Sequence, residues 1–328
     1  MSLTATPIET LPVGPRLQVA RFTNLWIIGS PTALEPPLVA VIGTRDPDPA
    51  GESMARAIAT ALAGAKISVI SGGALGIDAA AHAGALDAGG QTVVVLPSGF
   101  DHLYPVRHTI LYETIVGRGG ALLSPFPPET PPARWTFPRR NALLAALCDV
   151  LVVVQAPRAS GSLITVEYAQ RLGRRVLAVP SSPGDPRGAG CLRVLRAGAE
   201  VCERPEDVIA AVRNPNGPLL ATAGAREALR QCTIGVQVSR AGTRGSSTRS
   251  QRDRVAAVAV PDVEPSPEAI GLDDESARTW NALGSTPTHL DALVDATGLT
   301  PAKLRVTLMT LVLSGLASDR GAGRYSRT

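Results

Sequence analysis

Lysine is nearly absent from this 328-residue chain: Lys66 and Lys303 are its only two, and arginine carries the rest of the positive charge. Arginine suits bidentate phosphate contacts, but a GC-rich genome produces the same bias, so the excess alone names no ligand. Cysteine is scarce as well. Cys148, Cys191, Cys202 and Cys232 are far apart, with no CxxC pair and no histidine at zinc spacing, which argues against disulfides and against a structural metal. A nucleophilic thiol would need a partner such as His82, His102 or His108. Cys148, set in an apolar helix-to-strand junction, reads instead as a buried structural residue. No apolar run reaches bilayer length and no basic-then-apolar leader opens the sequence, so we expect a cytoplasmic protein that engages no membrane. The GxGxxG and GxxxxGKS/T phosphate loops, the GxSxG elbow and any conspicuous carboxylate pair are also missing. The loops therefore read as made for holding a ligand rather than transforming it: not an enzyme, no cofactor, no metal.

What the chain does have is a set of apolar strands that end in loops suited to anions. Val39–Ile42 runs into Gly43-Thr44-Arg45, Ile67–Ile70 into Ser71-Gly72-Gly73-Ala74-Leu75-Gly76-Ile77-Asp78, and Val150–Val154 into the segment Gln155–Ser162. Such strands suit a parallel sheet covered on both faces. Its ligands bind at the carboxyl ends of the strands, beside helix N-termini. Strands near 39–43, 67–71, 92–96, 120–124, 149–155, 175–179 and 199–202 alternate with helical patterns near 51–64, 76–88, 107–117, 138–147, 162–173 and 188–197. This predicts an α/β fold with a doubly wound, mainly parallel sheet over residues 38–213.

The flanks differ in character. Residues 1–37 form a Pro-rich extension with one strand, Leu25–Ile28, packing on the core. Residues 214–270 carry Arg226, Arg230, Arg240, Arg244, Arg249, Arg252 and Arg254 among Pro, Gly, Ser, Thr and Ala. They bury too little to offset their ordering entropy and read as a flexible basic linker, a tether before a nucleic-acid-scanning arm. Residues 271–328 hold three short helices (274–284, 289–296 and 301–314) and a Gly-turned hairpin at 316–326, the pattern of a small winged-helix domain.

The candidate site gathers at the strand ends. Gly43 lets a backbone approach a ligand, Thr44 offers a hydroxyl, and Arg45 offers a phosphate clamp, although an arginine after a strand is commonly just solvated. Ser71, Gly72 and Gly73 form a loop whose N–H groups can converge on an oxygen. Asp78 caps free N–H groups or contacts ligand, capping being favoured. His82, one turn further on the same face, is read as packed within its helix rather than as Asp-oriented chemistry. Phe126, Trp135 and Phe137 crowd a Pro-rich stretch before Pro138-Arg139-Arg140-Asn141. Rings beside guanidinium groups supply the stacking faces and clamps that a single-stranded nucleic acid needs, a reading we place ahead of rings pinning a loop to the sheet. Ser160, Gly161, Ser162 and Thr165 open a helix that Ser160 or Ser162 caps, with ligand contact expected in addition. The net charge of +4 tolerates nucleic acid without demanding it.

Taken in order, GTR, SGGALGIDAAAHAGAL, GFDHLYP, FPRRN and SGSLIT with GRRVLAVP resemble the DprA/Smf family of DNA-processing proteins over about residues 25–212. Residues 273–327 resemble that family's C-terminal winged helix. The resemblance implies an extended Rossmann-like core that binds single-stranded DNA at its strand ends. It also implies a homodimer that protects incoming DNA and helps load the RecA recombinase in natural transformation. It assigns the DNA-facing loops to Gly43, Thr44 and Arg45; to Ser71, Gly72, Gly73, Gly76, Ile77 and Asp78; to Phe137, Pro138, Arg139, Arg140 and Asn141; and to Ser160, Gly161, Ser162 and Thr165.

Departures matter too. Leu75 and Ala142 stand where the family usually has basic residues, Pro125 replaces a Glu, and Ser181 replaces a Gly. Each lost phosphate contact weakens binding and flattens its salt dependence. We therefore expect affinity below the family norm, carried by Arg45, Arg139 and Arg140. Two rivals stand beside this reading. One is a nucleotide-binding or nucleotide-hydrolysing enzyme of LOG-like fold, whose PGGxGTxxE signature is missing because no Glu follows the loop at 71–76. The other is an interaction module, since the third helix of the winged helix carries only Lys303 and Arg305, with Asp291 and Asp295 nearby.

Overall fold

In the computed structural model, residues 6–7, 10–20, 22, 24–215, 272–313 and 315–327 are described. The expected linker with its arginines, and Cys232, lie outside the described residues. The chain opens with β1 (Thr6–Pro7), α1 (Gly14–Val19) and β2 (Asn24–Gly29). Strict alternation follows: β3 (Leu38–Ile42), α2 (Pro49–Gly64), β4 (Ser68–Ser71), α3 (Ile77–Asp87), β5 (Thr92–Val95), α4 (Thr109–Gly117) and β6 (Ala121–Ser124). It continues with α5 (Thr136–Leu147), β7 (Val150–Val153), α6 (Ser162–Arg171), β8 (Arg175–Ala178), α7 (Ala189–Arg196), β9 (Glu200–Val201) and α8 (Pro205–Arg213). The short helices α1 and α8 are additions to the sequence expectation.

These strands form one nine-stranded sheet in the order β1-β2-β6-β5-β4-β3-β7-β8-β9. From β3 to β6 and from β3 to β9 every pairing is parallel, whereas β2 pairs antiparallel with β6 (Trp26 opposite Ser124). The extension thus supplies two strands rather than the expected one: β2, at the Leu25–Ile28 run, lies between β6 and the short edge strand β1. Every residue of β3 is buried because helices cover both faces. Ala40 and Ile42 face one core with α1, α5, α6 and α7, while Val39 and Val41 face the other with α2, α3 and α8, the two-residue period of a strand. The fold is α/β and Rossmann-like. The chain winds one way from β3 through β4 and the other way through β7, so the strand order reverses between β3 and β7. Loops diverge at such a point and leave a crevice at the carboxyl ends.

The second unit comprises α9 (Asp274–Ala282), β10 (Thr288–His289), α10 (Leu290–Thr297), α11 (Pro301–Leu313), β11 (Ala317–Asp319) and β12 (Arg324–Arg327). Its small sheet runs β10-β12-β11, so three helices and a wing are present. Asp273 caps α9 by accepting from the Ser276 N–H at 2.8 Å. Leu304, Leu308 and Leu311, spaced three and four apart, are fully buried with Trp280 and Leu293. Trp135 of the larger unit packs against this same cluster.

Candidate functional site

The loops after β3, β4 and β7 are knitted together by backbone. Thr44 N–H donates to the Gln155 carbonyl at 2.6 Å, and Ile77 N–H donates to the Thr44 carbonyl at 3.1 Å. Gly76, at φ +78°, lies so close that a Cβ there would meet the Thr44 carbonyl oxygen at 2.5 Å. Only glycine fits that left-handed position against another backbone. The Ser71 hydroxyl donates to the Val41 carbonyl at 2.6 Å. Three strand ends therefore move as one platform.

Beneath the platform sit two buried ionisable side chains, Arg140 and Asp78, that couple electrostatically. Arg140, from the first turn of α5, donates from Nη1 to the carbonyls of Gly72 and Val95 and from Nε to Asn141 Oδ1 at 2.9 Å. A Cβ on Gly72 would strike that guanidinium. Asp78 accepts from the Ala74 N–H at 3.2 Å, closing the glycine loop on the start of α3. Burial pushes the Asp78 carboxyl up and the Arg140 guanidinium down, and each opposes the other's shift. The Gly73 carbonyl accepts from Tyr112 Oη at 3.0 Å and from His108 Nδ1 at 2.9 Å. Tyr104, His108 and Tyr112 thus belong to the site, although sequence reasoning did not single them out for it. The signal was the GFDHLYP turn, whose tyrosine reaches the site.

The solvent-facing part is small and specific. Phe137, half-buried, stands with the exposed Arg45 guanidinium 5.6 Å from its ring centroid and the Arg140 guanidinium 6.0 Å away. Tyr104 meets the ring edge-on at 5.8 Å. Across the crevice, Asn141 Nδ2 donates to the Gly161 carbonyl at 3.3 Å, and the half-buried hydroxyls of Ser160 and Ser162 lie 2.7 Å apart. Ser160 Oγ accepts from the Ser162 N–H at 3.3 Å, but the N-cap is Gly161 and no side chain caps the helix, so the expected capping by Ser160 or Ser162 is not what the structure has.

Several expectations need correcting. Arg139 is no clamp at the site: it is buried, with its guanidinium 5.2 Å from the Phe22 ring, and burial lowers it to about 10. Phe126 is fully buried and meets Trp135 edge-on at 5.2 Å. These two rings pin the loop, Trp135 also packing on the winged-helix cluster, and half-buried Phe137 is the aromatic that stands beside Arg45. Arg140 is engaged by carbonyls, so its first role is to brace the platform. The Ser71 hydroxyl is buried and committed to Val41, and buried Thr165 offers a ligand almost no surface. Ala142 is fully buried in the core, so its substitution takes no cation from the rim, whereas half-buried Leu75 lies in the glycine loop itself. His82 is packed, as expected: its Nδ1 pairs with Thr92 Oγ1 at 2.7 Å, Nε2 has no hydrogen-bond partner among the described residues, and burial lowers its pKa to about 3. Burial holds the thiols of Cys148, Cys191 and Cys202 up at about 12, 11 and 12, which suits structural residues and not nucleophiles.

The family profile described as DNA recombination-mediator protein A matches residues 19–213. The chain belongs to this family, the DprA proteins. A second profile, the DprA winged helix domain, matches residues 263–323. The putative DNA processing protein DprA of Mycobacterium tuberculosis is 44% identical over 188 residues, 56% of this chain and 48% of that protein, so the match spans about half of the relative's length. Protein Smf of Synechocystis is 33% identical over 298 residues, 89% of this chain and 70% of that protein. The X-ray structure of DprA from Streptococcus pneumoniae superposes with a TM-score of 0.60 at 32% identity, covering 65% of this chain and 75% of that one. DNA processing protein A from Helicobacter pylori, whose structure is described for its single-stranded DNA binding mode, gives 0.57 at 27% identity over 65% of this chain and 97% of its own. No helix among the described residues is long and apolar enough to cross a membrane.

Proposed function

We propose that this chain binds single-stranded DNA across the Arg45–Phe137 pair, protects it, and as a homodimer helps to load it onto a RecA-type recombinase during natural transformation. The observation that carries the reading is a half-buried ring on the rim of three knitted strand-end loops, with the Arg45 and Arg140 guanidinium groups 5.6 and 6.0 Å from its centroid. A base stacked on such a ring contributes about 1–3 kcal/mol. In a duplex the bases are already stacked on one another, so only a single strand can use the ring cheaply. Arg45 takes the phosphate, Phe137 takes the base, and the Ser160 and Ser162 hydroxyls line the opposite wall. Arg140 and Asp78 hold the platform in shape without turnover of the ligand. The Rossmann-like domain at 38–213 carries this site, and the winged-helix domain at 271–328 acts beside it.

The test is fluorescence anisotropy of a labelled oligo-dT strand against a matched duplex at two salt concentrations. The single strand should bind preferentially, with affinity falling as salt rises. Arg45→Ala should weaken binding to all sequences alike and reduce the salt slope by about one. Equal affinity for duplex and strand, or release of free base from a nucleoside monophosphate, would replace this reading with a nucleotide-processing one.

A further inference from the structure

The first turn of α5 is held from two sides. Gly315, which follows α11, is buried against that turn's backbone: a Cβ there would lie 2.6 Å from the Pro138 carbonyl oxygen and 2.8 Å from Arg139 Cα. Gly315 also adopts φ +77°, so both its conformation and its space require glycine. One residue before α5, Trp135 packs on the apolar cluster of the winged helix with one side and against fully buried Phe126 with another. Below, Arg139 lies against Phe22. The same turn presents Phe137 to Arg45 and Arg140 to the Gly72 carbonyl. It does so without a side-chain cap, because Trp135 stands at the N-cap and makes no such bond. Locally the turn has the Thr136 N–H and hydroxyl on the Ala133 carbonyl at 3.0 and 2.8 Å, and Pro138 has no N–H; without a capping side chain it leans on tertiary contacts as well.

We infer that the winged helix is a positioning element for the DNA site: through Gly315 and Trp135 it forms the outer wall that keeps Phe137 and Arg140 in binding geometry. The inference rests on the proposed reading of the site as one for single-stranded DNA. Neither Trp135 nor Gly315 is placed on the ligand; both act through α5. Thermodynamic linkage makes the effect reciprocal. If docking of the winged helix strengthens DNA binding, DNA must strengthen docking by the same factor.

The experiment uses the full chain. Gly315→Val, whose side chain has no room against Pro138, should lower oligo-dT affinity by about tenfold, within the usual range for coupled sites. Its effect should largely vanish in a Phe137→Ala background, because the variant acts by displacing that ring. Should Gly315→Val unfold the winged helix, Trp135→Ala breaks the contact from the other side and should show the same non-additivity with Phe137→Ala. In the unchanged chain, saturating oligo-dT should slow amide hydrogen exchange across residues 301–319. Parent-like affinity in both variants, fully additive losses, tighter binding, or exchange unmoved by DNA would each overturn the inference while leaving the site reading intact. Failure of the unchanged chain to bind oligo-dT would overturn the site reading and this inference with it.

Discussion

The strand-end platform of the Rossmann-like unit and helix α11 of the winged helix handle charge in opposite ways. In the former, Arg140 and Asp78 are buried, and the guanidinium is held by carbonyls from two strand ends. In the latter, both basic side chains of α11, Lys303 and Arg305, sit at the surface: Lys303 pairs with Glu275 at 2.8 Å, and exposed Val306 and Met309 lie one and two turns further along. A buried pair holds geometry because moving either charge leaves the other desolvated. An exposed pair holds almost none. The first arrangement suits a preorganised ligand site, and the second suits a helix that does not read a duplex through its charges.

The sharpest way to break this comparison is Arg140→Ala. It strands the Gly72 and Val95 carbonyls and leaves Asp78 buried without its cation, so it should cost about 3–5 kcal/mol in a urea melt. A loss below 1 kcal/mol would mean the pair is not holding the platform. Acid should produce the next largest effect, through His82. Its folded pKa of about 3 lies below the ordinary value of 6.5, so between these values the unfolded chain binds the extra proton. Stability should therefore be intact above pH 6.5 and decline as pH falls toward 3. His82→Gln should flatten that part of the pH–stability curve, and an unchanged curve would assign the acid sensitivity to other groups. Arg45→Ala should weaken DNA binding alike for all sequences and lower its salt slope by about one yet leave the urea midpoint unmoved, since the side chain is exposed. Smallest of all, Lys303→Ala should change stability by at most about 1 kcal/mol, an effect that salt should erase.

Much of this architecture is legible in residue order. The alternation of apolar strands with helical patterns, the winged-helix pattern and the glycine loops all follow from short-range periodicity and turn chemistry, and the structure has them. The strand at 24–29 was legible from its apolar run; its antiparallel pairing with β6 was not, because pairing direction depends on where the chain returns. The site was only half legible. Gly43, Arg45, Gly72, Gly76 and Phe137 stand where their types suggest. Arg139 and Arg140, adjacent and identical in type, do entirely different things.

That contrast marks the division between the two sources of information. The sequence by itself determined the βα order, the strand-end loops, the second domain and the placing of glycine where backbones meet, since each depends on neighbours within a few residues. Only the tertiary structure decided which arginine faces solvent and which aromatic remains open. Successive helical residues point about 100° apart, and what waits in each direction comes from distant parts of the chain: Phe22 for Arg139, the Gly72 loop for Arg140, and the winged-helix core for Trp135.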